Sequence, residues 1–285
     1  MSTTTHSAGR YYLPAPSKWP IVASIAMLLI AFGAAFTVNG MTLGYVLLAL
    51  GLAVFVYMLF GWFGTVARES ESGVMNEQVD VSFRWGMSWF IFSEVMFFAA
   101  FFGALFYVRV FSVPWLADVE QRLLWPDFAG AWPNAGPAFK EQFTPIAAWG
   151  LPAINTLLLL TSGVTITFAH WALKENKRGA LVGWLAATIA LGVTFLFVQI
   201  YEYGHAYADL NLKLSTGVFG STFFMLTGFH GLHVTVGIIM LCAILGRSIA
   251  GHFKPEDHFG FEGVAWYWHF VDVVWLLLFI LVYWL

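Results

Sequence analysis

Seven long apolar runs decide what this chain can fold into. They cover residues 21–38, 43–66, 85–108, 147–170, 181–203, 218–245 and 264–284. A helix of about 20 residues crosses a hydrocarbon layer of ~30 Å, and every run is near or above that length. Glycine and proline within the runs are common in membrane helices and do not break the reading. The expected fold class is all-α: a polytopic membrane protein with seven transmembrane helices. Composition points the same way, since 60% of the 285 residues are hydrophobic and only 10% are charged, against about 25% charged in soluble domains. A formal charge of −3 argues against nucleic acid as a partner. The lone Cys242 excludes an internal disulfide or a cysteine-based metal cluster.

The connections divide the chain. Asn39–Gly40 is a turn signal, so the tail and first two helices, residues 1–66, are expected to end in a hairpin. A polar, mixed-charge loop at 67–84 separates them from a five-helix bundle, 85–285. Inside that bundle the longer loop 109–145 carries Pro114, Pro126, Pro133 and Pro137 among aromatics, the composition of a cap folded at the membrane interface. No internal repeat is visible, which weighs against an inverted-repeat transporter. Lysine and arginine set the orientation. With the N-terminus inside, the inner segments hold Arg10, Lys18, Arg68, Arg84, Lys174, Lys177, Arg178, Arg247 and Lys254, and the outer ones Arg109, Arg122, Lys140 and Lys213. That excess predicts a cytoplasmic N-terminus and a periplasmic C-terminus. The tail shows neither a signal-peptide cleavage pattern nor an arginine-rich presequence. Direct insertion into a bacterial inner membrane is the simplest expectation, with an organelle-encoded protein as the alternative.

Polar residues inside the runs are the candidate functional groups. Glu94 is the sharpest, a single acid near the middle of 85–108. A charge at that depth is expensive. Two readings stay open: a carboxyl that exchanges protons, or a neutral acid hydrogen-bonded to a neighbouring helix or a partner subunit. His230 and His233, in GFHGLHV, lie three apart on one helix face. With no carboxylate nearby in sequence, structural hydrogen bonding is preferred there over metal ligation. His269 and Asp272, in WYWHFVDVVWL, share a face likewise, and pairing of the acid is preferred over catalysis. Gln199 and Glu202, in FVQIYEYGH, share a face near the outer end of the fifth run, where water is expected to reach Glu202. Arg68, Arg84 and Arg247 fall near the inner surface with Trp62. They read equally as topology-setting charges or as a lipid-phosphate site, since guanidinium forks suit phosphates. The phenylalanine pairs at 97–98, 101–102 and 223–224 are expected only to fill space.

Four stretches carry a resemblance: RWGMSWFIFSEVMFF (84–98), QIYEYGHA (199–206), GVFGSTFFMLTGFHGLHV (217–234) and HFGFEGVAWYWHFVDVVWL (258–276). In this order and spacing they resemble subunit III of the haem–copper cytochrome c oxidases, over nearly the whole chain apart from the N-terminal tail and the 109–145 loop. The resemblance implies a subunit without haem or copper of its own, packed against the catalytic subunit of a proton-pumping terminal oxidase. It implies a V-shaped, phospholipid-filled cleft between the N-terminal hairpin and the five-helix bundle. It implies lipid-head-group contacts at Trp62, Arg68, Glu69, Arg84, Arg247 and His258. A histidine that some relatives carry near residues 73–79 is absent from GVMNEQV. Glu94 falls on the family's carbodiimide-reactive carboxyl. The long third loop resembles that of bacterial members. The first two helices, typically missing from quinol-oxidase relatives, imply cytochrome c as electron donor to the complex.

Only His230, His233 and His269 lie well inside the apolar runs, too few for haem axial ligation and copper sites, which are expected on partner chains. The expected role is a non-redox integral subunit of a respiratory-chain translocase that reduces oxygen to water and moves protons outward. With oxidase subunits I and II as partners, it would stabilise the catalytic subunit, bind structural phospholipids, and support proton uptake and sustained turnover. Two alternatives remain: an independent ion or proton transporter using Glu94 and Glu202, and a haem-binding membrane protein ligated by His230.

Overall fold

The computed structural model describes residues 12–13, 15–75, 77–139 and 142–285; Arg10, Lys140 and the side chain of Arg122 lie outside what it describes. All regular structure among the described residues is helical, and seven helices are long and apolar enough to cross a membrane. These are α1 (Trp19–Val38), α2 (Leu43–Glu71), α3 (Glu77–Tyr107), α5 (Leu151–Lys174), α6 (Arg178–Ala208), α7 (Gly217–Ala250) and α8 (Phe259–Leu278). A single turn, α4 (Val113–Leu116), follows α3 through a π-helical turn at Val108–Ser112, and a second π-helical stretch, Phe279–Trp284, extends α8.

The helices outrun the apolar runs. With α2 reaching Glu71 and α3 starting at Glu77, most of the stretch expected as a loop at 67–84 is helical. The physical reason is that hydrocarbon thickness limits the apolar run and not the helix. Beyond the apolar region, Ala, Arg, Glu and Gln are good helix formers and the backbone bonds continue unbroken.

Two compact units divide the chain, Met1–Phe83 and Arg84–Leu285. In the first, α1 and α2 pair antiparallel along a seam of seven-residue period. Its buried positions are Trp19, Ala26 and Gly33 on α1, and Gly44, Gly51 and Met58 on α2. Such a period is the coiled-coil seam, here built from small residues so that backbones approach closely. A Cβ at Gly33 would stand 2.5 Å from the Leu48 backbone nitrogen, and one at Gly51 2.8 Å from that of Ile30. At the turn, Gly40 takes φ 74°, and Met41 N–H donates to the Phe36 carbonyl at 2.9 Å. The expected hairpin is present.

The second unit is organised on α8, the most buried of the spanning helices. Trp268 and Trp275, both almost fully buried, project from it one above the other. The Trp268 indole N–H donates to Ser162 Oγ at 2.9 Å and that of Trp275 to Thr156 Oγ1 at 3.0 Å, pinning α8 to α5. Gly192 on α6 and Gly237 on α7 leave the space that the Trp268 ring occupies. From Arg84 onward, α3 joins this unit through side chains: Phe97 meets Phe229 edge-on at 5.0 Å, and Phe90 stacks on Tyr267 at 6.2 Å. The described residues of the 117–150 connection fold against the same unit, with Trp132 and Phe143 on Phe219 and Val218 N–H donating to the Ala135 carbonyl.

Candidate functional site

Glu94 meets a histidine. Its Oε2 lies 2.8 Å from His233 Nε2 on α7, and His233 Nδ1 lies 2.6 Å from the Phe229 carbonyl oxygen one turn earlier. A carbonyl can only accept, so Nδ1 carries a hydrogen and donates. One proton then remains for the Glu94–His233 bond, on the carboxyl with a neutral imidazole or on the imidazole with a carboxylate. Either way the pair is net neutral, which is how an acid at this depth is tolerated. Phe97, Phe98, Tyr267 and Phe270 surround the imidazole. The Tyr267 hydroxyl donates to the His233 carbonyl at 3.3 Å. The 94–233 pairing was not readable from sequence, because the two residues are 139 positions apart.

His230, three residues from His233, serves a different contact. Its Nε2 donates to the Val271 carbonyl at 3.1 Å, and its ring lies among Phe195 and Trp275. The two histidines therefore bind different partners instead of converging. Among the described residues no group of three or more His, Cys, Asp or Glu is placed to hold a metal ion.

At the end of α6 the expectation of water at Glu202 is corrected: Glu202 is 0% and Gln199 4% exposed. The face they share turns inward, toward the π-helical end of α8. There the Tyr283 hydroxyl donates to Glu202 Oε1 at 2.7 Å, as Gln199 Nε2 does at 3.2 Å, and Asn155 Nδ2 donates to Gln199 Oε1 at 3.4 Å. Tyr283 and Asn155 were missed by sequence reasoning, since neither is unusual for its own helix.

His269 and Asp272 are brought together only loosely. Nδ1 lies 3.7 Å from Oδ2, with the histidine half exposed and the acid nearly buried. The acid instead sits where Gly163 lacks a side chain.

The residues named for lipid divide between the units. Trp62, Arg68 and Glu69 lie on the last three turns of α2, where Trp62 and Arg68 are exposed and Arg68 donates to Thr65 Oγ1 at 3.4 Å. In the second unit Arg84 grips Glu262 Oε2 with Nε and one terminal nitrogen, at 3.1 and 2.9 Å. Arg247 lays its guanidinium over Phe253, 4.6 Å from the ring centre. His258 Nδ1 donates to the Lys254 carbonyl at 3.1 Å, which leaves its Nε2 to accept from His170 Nε2, also at 3.1 Å. His170 and Glu262 are thus further partners that spacing alone did not reveal.

Comparison with known proteins places the sequence in a family. A family model described as cytochrome c oxidase subunit III matches residues 9–285. Proteins named "Cytochrome c oxidase subunit 3" from the pufferfish Tetraodon nigroviridis, the cod Gadus morhua and Homo sapiens are each 40% identical to the chain, over 98% of its length and 98% of theirs. With the seven helices, the α1–α2 hairpin and the Glu94 environment in place, these matches show that the chain belongs to the cytochrome c oxidase subunit III family.

Proposed function

We propose that this non-catalytic subunit serves a cytochrome c-fed oxidase of a bacterial inner membrane, with its N-terminus cytoplasmic and its C-terminus periplasmic. It lies against subunits I and II, stabilises the catalytic subunit, holds structural phospholipids, and supports proton uptake and sustained turnover. The family match from residue 9 to residue 285 carries this reading, because it takes in the hairpin as well as the bundle. The hairpin supports cytochrome c as donor, the long 109–145 loop supports the bacterial form, and the lysine and arginine excess supports the orientation. Lipid phosphate is assigned to Arg68 in the first unit, with Trp62 and Glu69 on the same helix, and to Arg247 and His258 in the second. Arg84 acts there by anchoring α3 to α8 through Glu262.

Glu94 and Glu202 have separate hydrogen-bond partners, His233 on one side and Gln199 with Tyr283 on the other. That separation favours the subunit reading over a transporter passing an ion between the two acids. Purification in mild detergent tests the assignment. The chain is expected to migrate with a haem-bearing partner, and migration alone overturns it. The lipid role has its own test: Arg68→Ala with Arg247→Ala lowers co-purified phospholipid, whereas unchanged lipid removes that role.

A further inference from the structure

We infer that Glu202 is a second, independent proton-holding site, its carboxyl kept neutral inside the cluster that it forms with Gln199, Tyr283 and Asn155. Hydrogen-bond accounting carries the inference. Both donors that reach Glu202, the Tyr283 hydroxyl and Gln199 Nε2, arrive at the same oxygen, Oε1. Two acceptor atoms in the cluster, Glu202 Oε2 and Asn155 Oδ1, are buried without a partner, and both residues are 0% exposed. An ionised Glu202 leaves Oε2 a buried anionic acceptor without a donor, at the full desolvation penalty. A proton on the carboxyl removes that charge and with it the larger part of the penalty.

Among the described residues no cation is bonded to Glu202. His205, the nearest basic group on α6, pairs with Asp209 at 2.7 Å, and the Tyr203 hydroxyl is bound to Thr227 at 2.6 Å. The opposite amide orientation of Gln199 gives the same result, because its carbonyl would then face Glu202 and require the acid's hydrogen. Both amides and the tyrosine are neutral, so the cluster as a whole carries no charge.

The test is carbon-13 NMR of the intact oxidase in lipid, with its glutamate carboxyl carbons labelled. The resonance lost in Glu202→Gln is expected at the neutral-acid position. Asn155→Ala and Tyr283→Phe should each shift it without removing it. Should Glu202→Gln fail to assemble, the resonance shifted by Tyr283→Phe identifies the same carboxyl. A resonance at the carboxylate position overturns the inference, as does one that Asn155→Ala leaves unmoved.

Discussion

The hairpin and the bundle solve one problem by opposite means. Between α1 and α2 there is almost nothing: Gly33, Gly44 and Gly51 remove side chains so that two backbones touch. Between α5 and α8 there is as much as will fit, two tryptophans each pegged by its indole N–H to a hydroxyl on the facing helix. Lipid tails are as apolar as leucine, so helices in a membrane gain little from hiding apolar surface and depend on close packing and polar ties. The hairpin uses packing, with a polar tie only near its open end. The bundle uses packing and ties at several depths. In the hairpin, 11% and 17% of the apolar stretches of α1 and α2 are buried within the chain, against 56% for α8 with its π-helical extension, so most of the hairpin's surface is left for lipid or a partner.

The largest effect should come from the bundle. Trp268→Ala removes a fully buried ring from between Gly192 and Gly237 and the donor to Ser162 Oγ, a loss of about 3–5 kcal/mol by analogy with large-to-small core changes. Hydrogen exchange is expected to rise across α5 to α8 while the α1–α2 amides keep their protection. Exchange rising equally in α1 and α2 would erase the distinction between the regions. The converse substitution is Gly33→Leu, where overpacking costs about 1–3 kcal/mol and α1 should separate from α2 with the bundle unaffected. If the hairpin amides stayed protected, the seam would not be the tie described here.

Glu94 supplies a smaller and more selective effect. Glu94→Ala leaves His233 Nε2 without its partner, a cost of about 1–3 kcal/mol. Glu94→Gln keeps a donor for a neutral imidazole and should lose much less. Thermal unfolding of the assembled oxidase compares the two variants. Equal losses would show that a charged pair, and not one shared proton, holds α3 to α7.

The sequence made the seven helices legible because span length is set by a fixed solvent thickness, and the Asn39–Gly40 turn because it needs a positive φ. The seam was missed for a reason of the same kind. Trp19, Ala26, Gly33 and then Gly44, Gly51, Met58 repeat every seven residues, but in a wholly apolar helix small residues stand out far less than polar ones do. Glu94, Gln199 and Glu202 were legible as polar atoms out of place. Tyr283 and Asn155 were not, and neither was the pairing of Glu94 with His233, since pairing depends on which helix faces turn together. Sequence gave Glu202 the wrong surroundings because distance from the span centre was taken for exposure, whereas inward rotation of that face buries it.

The smallest effect compares like with like. Each region contains a tryptophan donating to a threonine hydroxyl: Trp19 to Thr65 at 3.2 Å in the hairpin, and Trp275 to Thr156 at 3.0 Å in the bundle. The first tie is part-buried at the end of its helix, where water or head groups can replace a lost hydroxyl. The second is buried, and Thr156→Val leaves the Trp275 N–H facing apolar neighbours. Thr156→Val should therefore cost between about 0.6 and about 1.7 kcal/mol, the average and the maximum for such ties in membranes, while Thr65→Val should lie near zero. Double-mutant cycles with Trp275→Phe and Trp19→Phe isolate each tie. Equal coupling energies would mean that burial does not set the worth of these bonds, and the contrast between a hairpin held by close backbones and a bundle held by pegs would reduce to geometry alone.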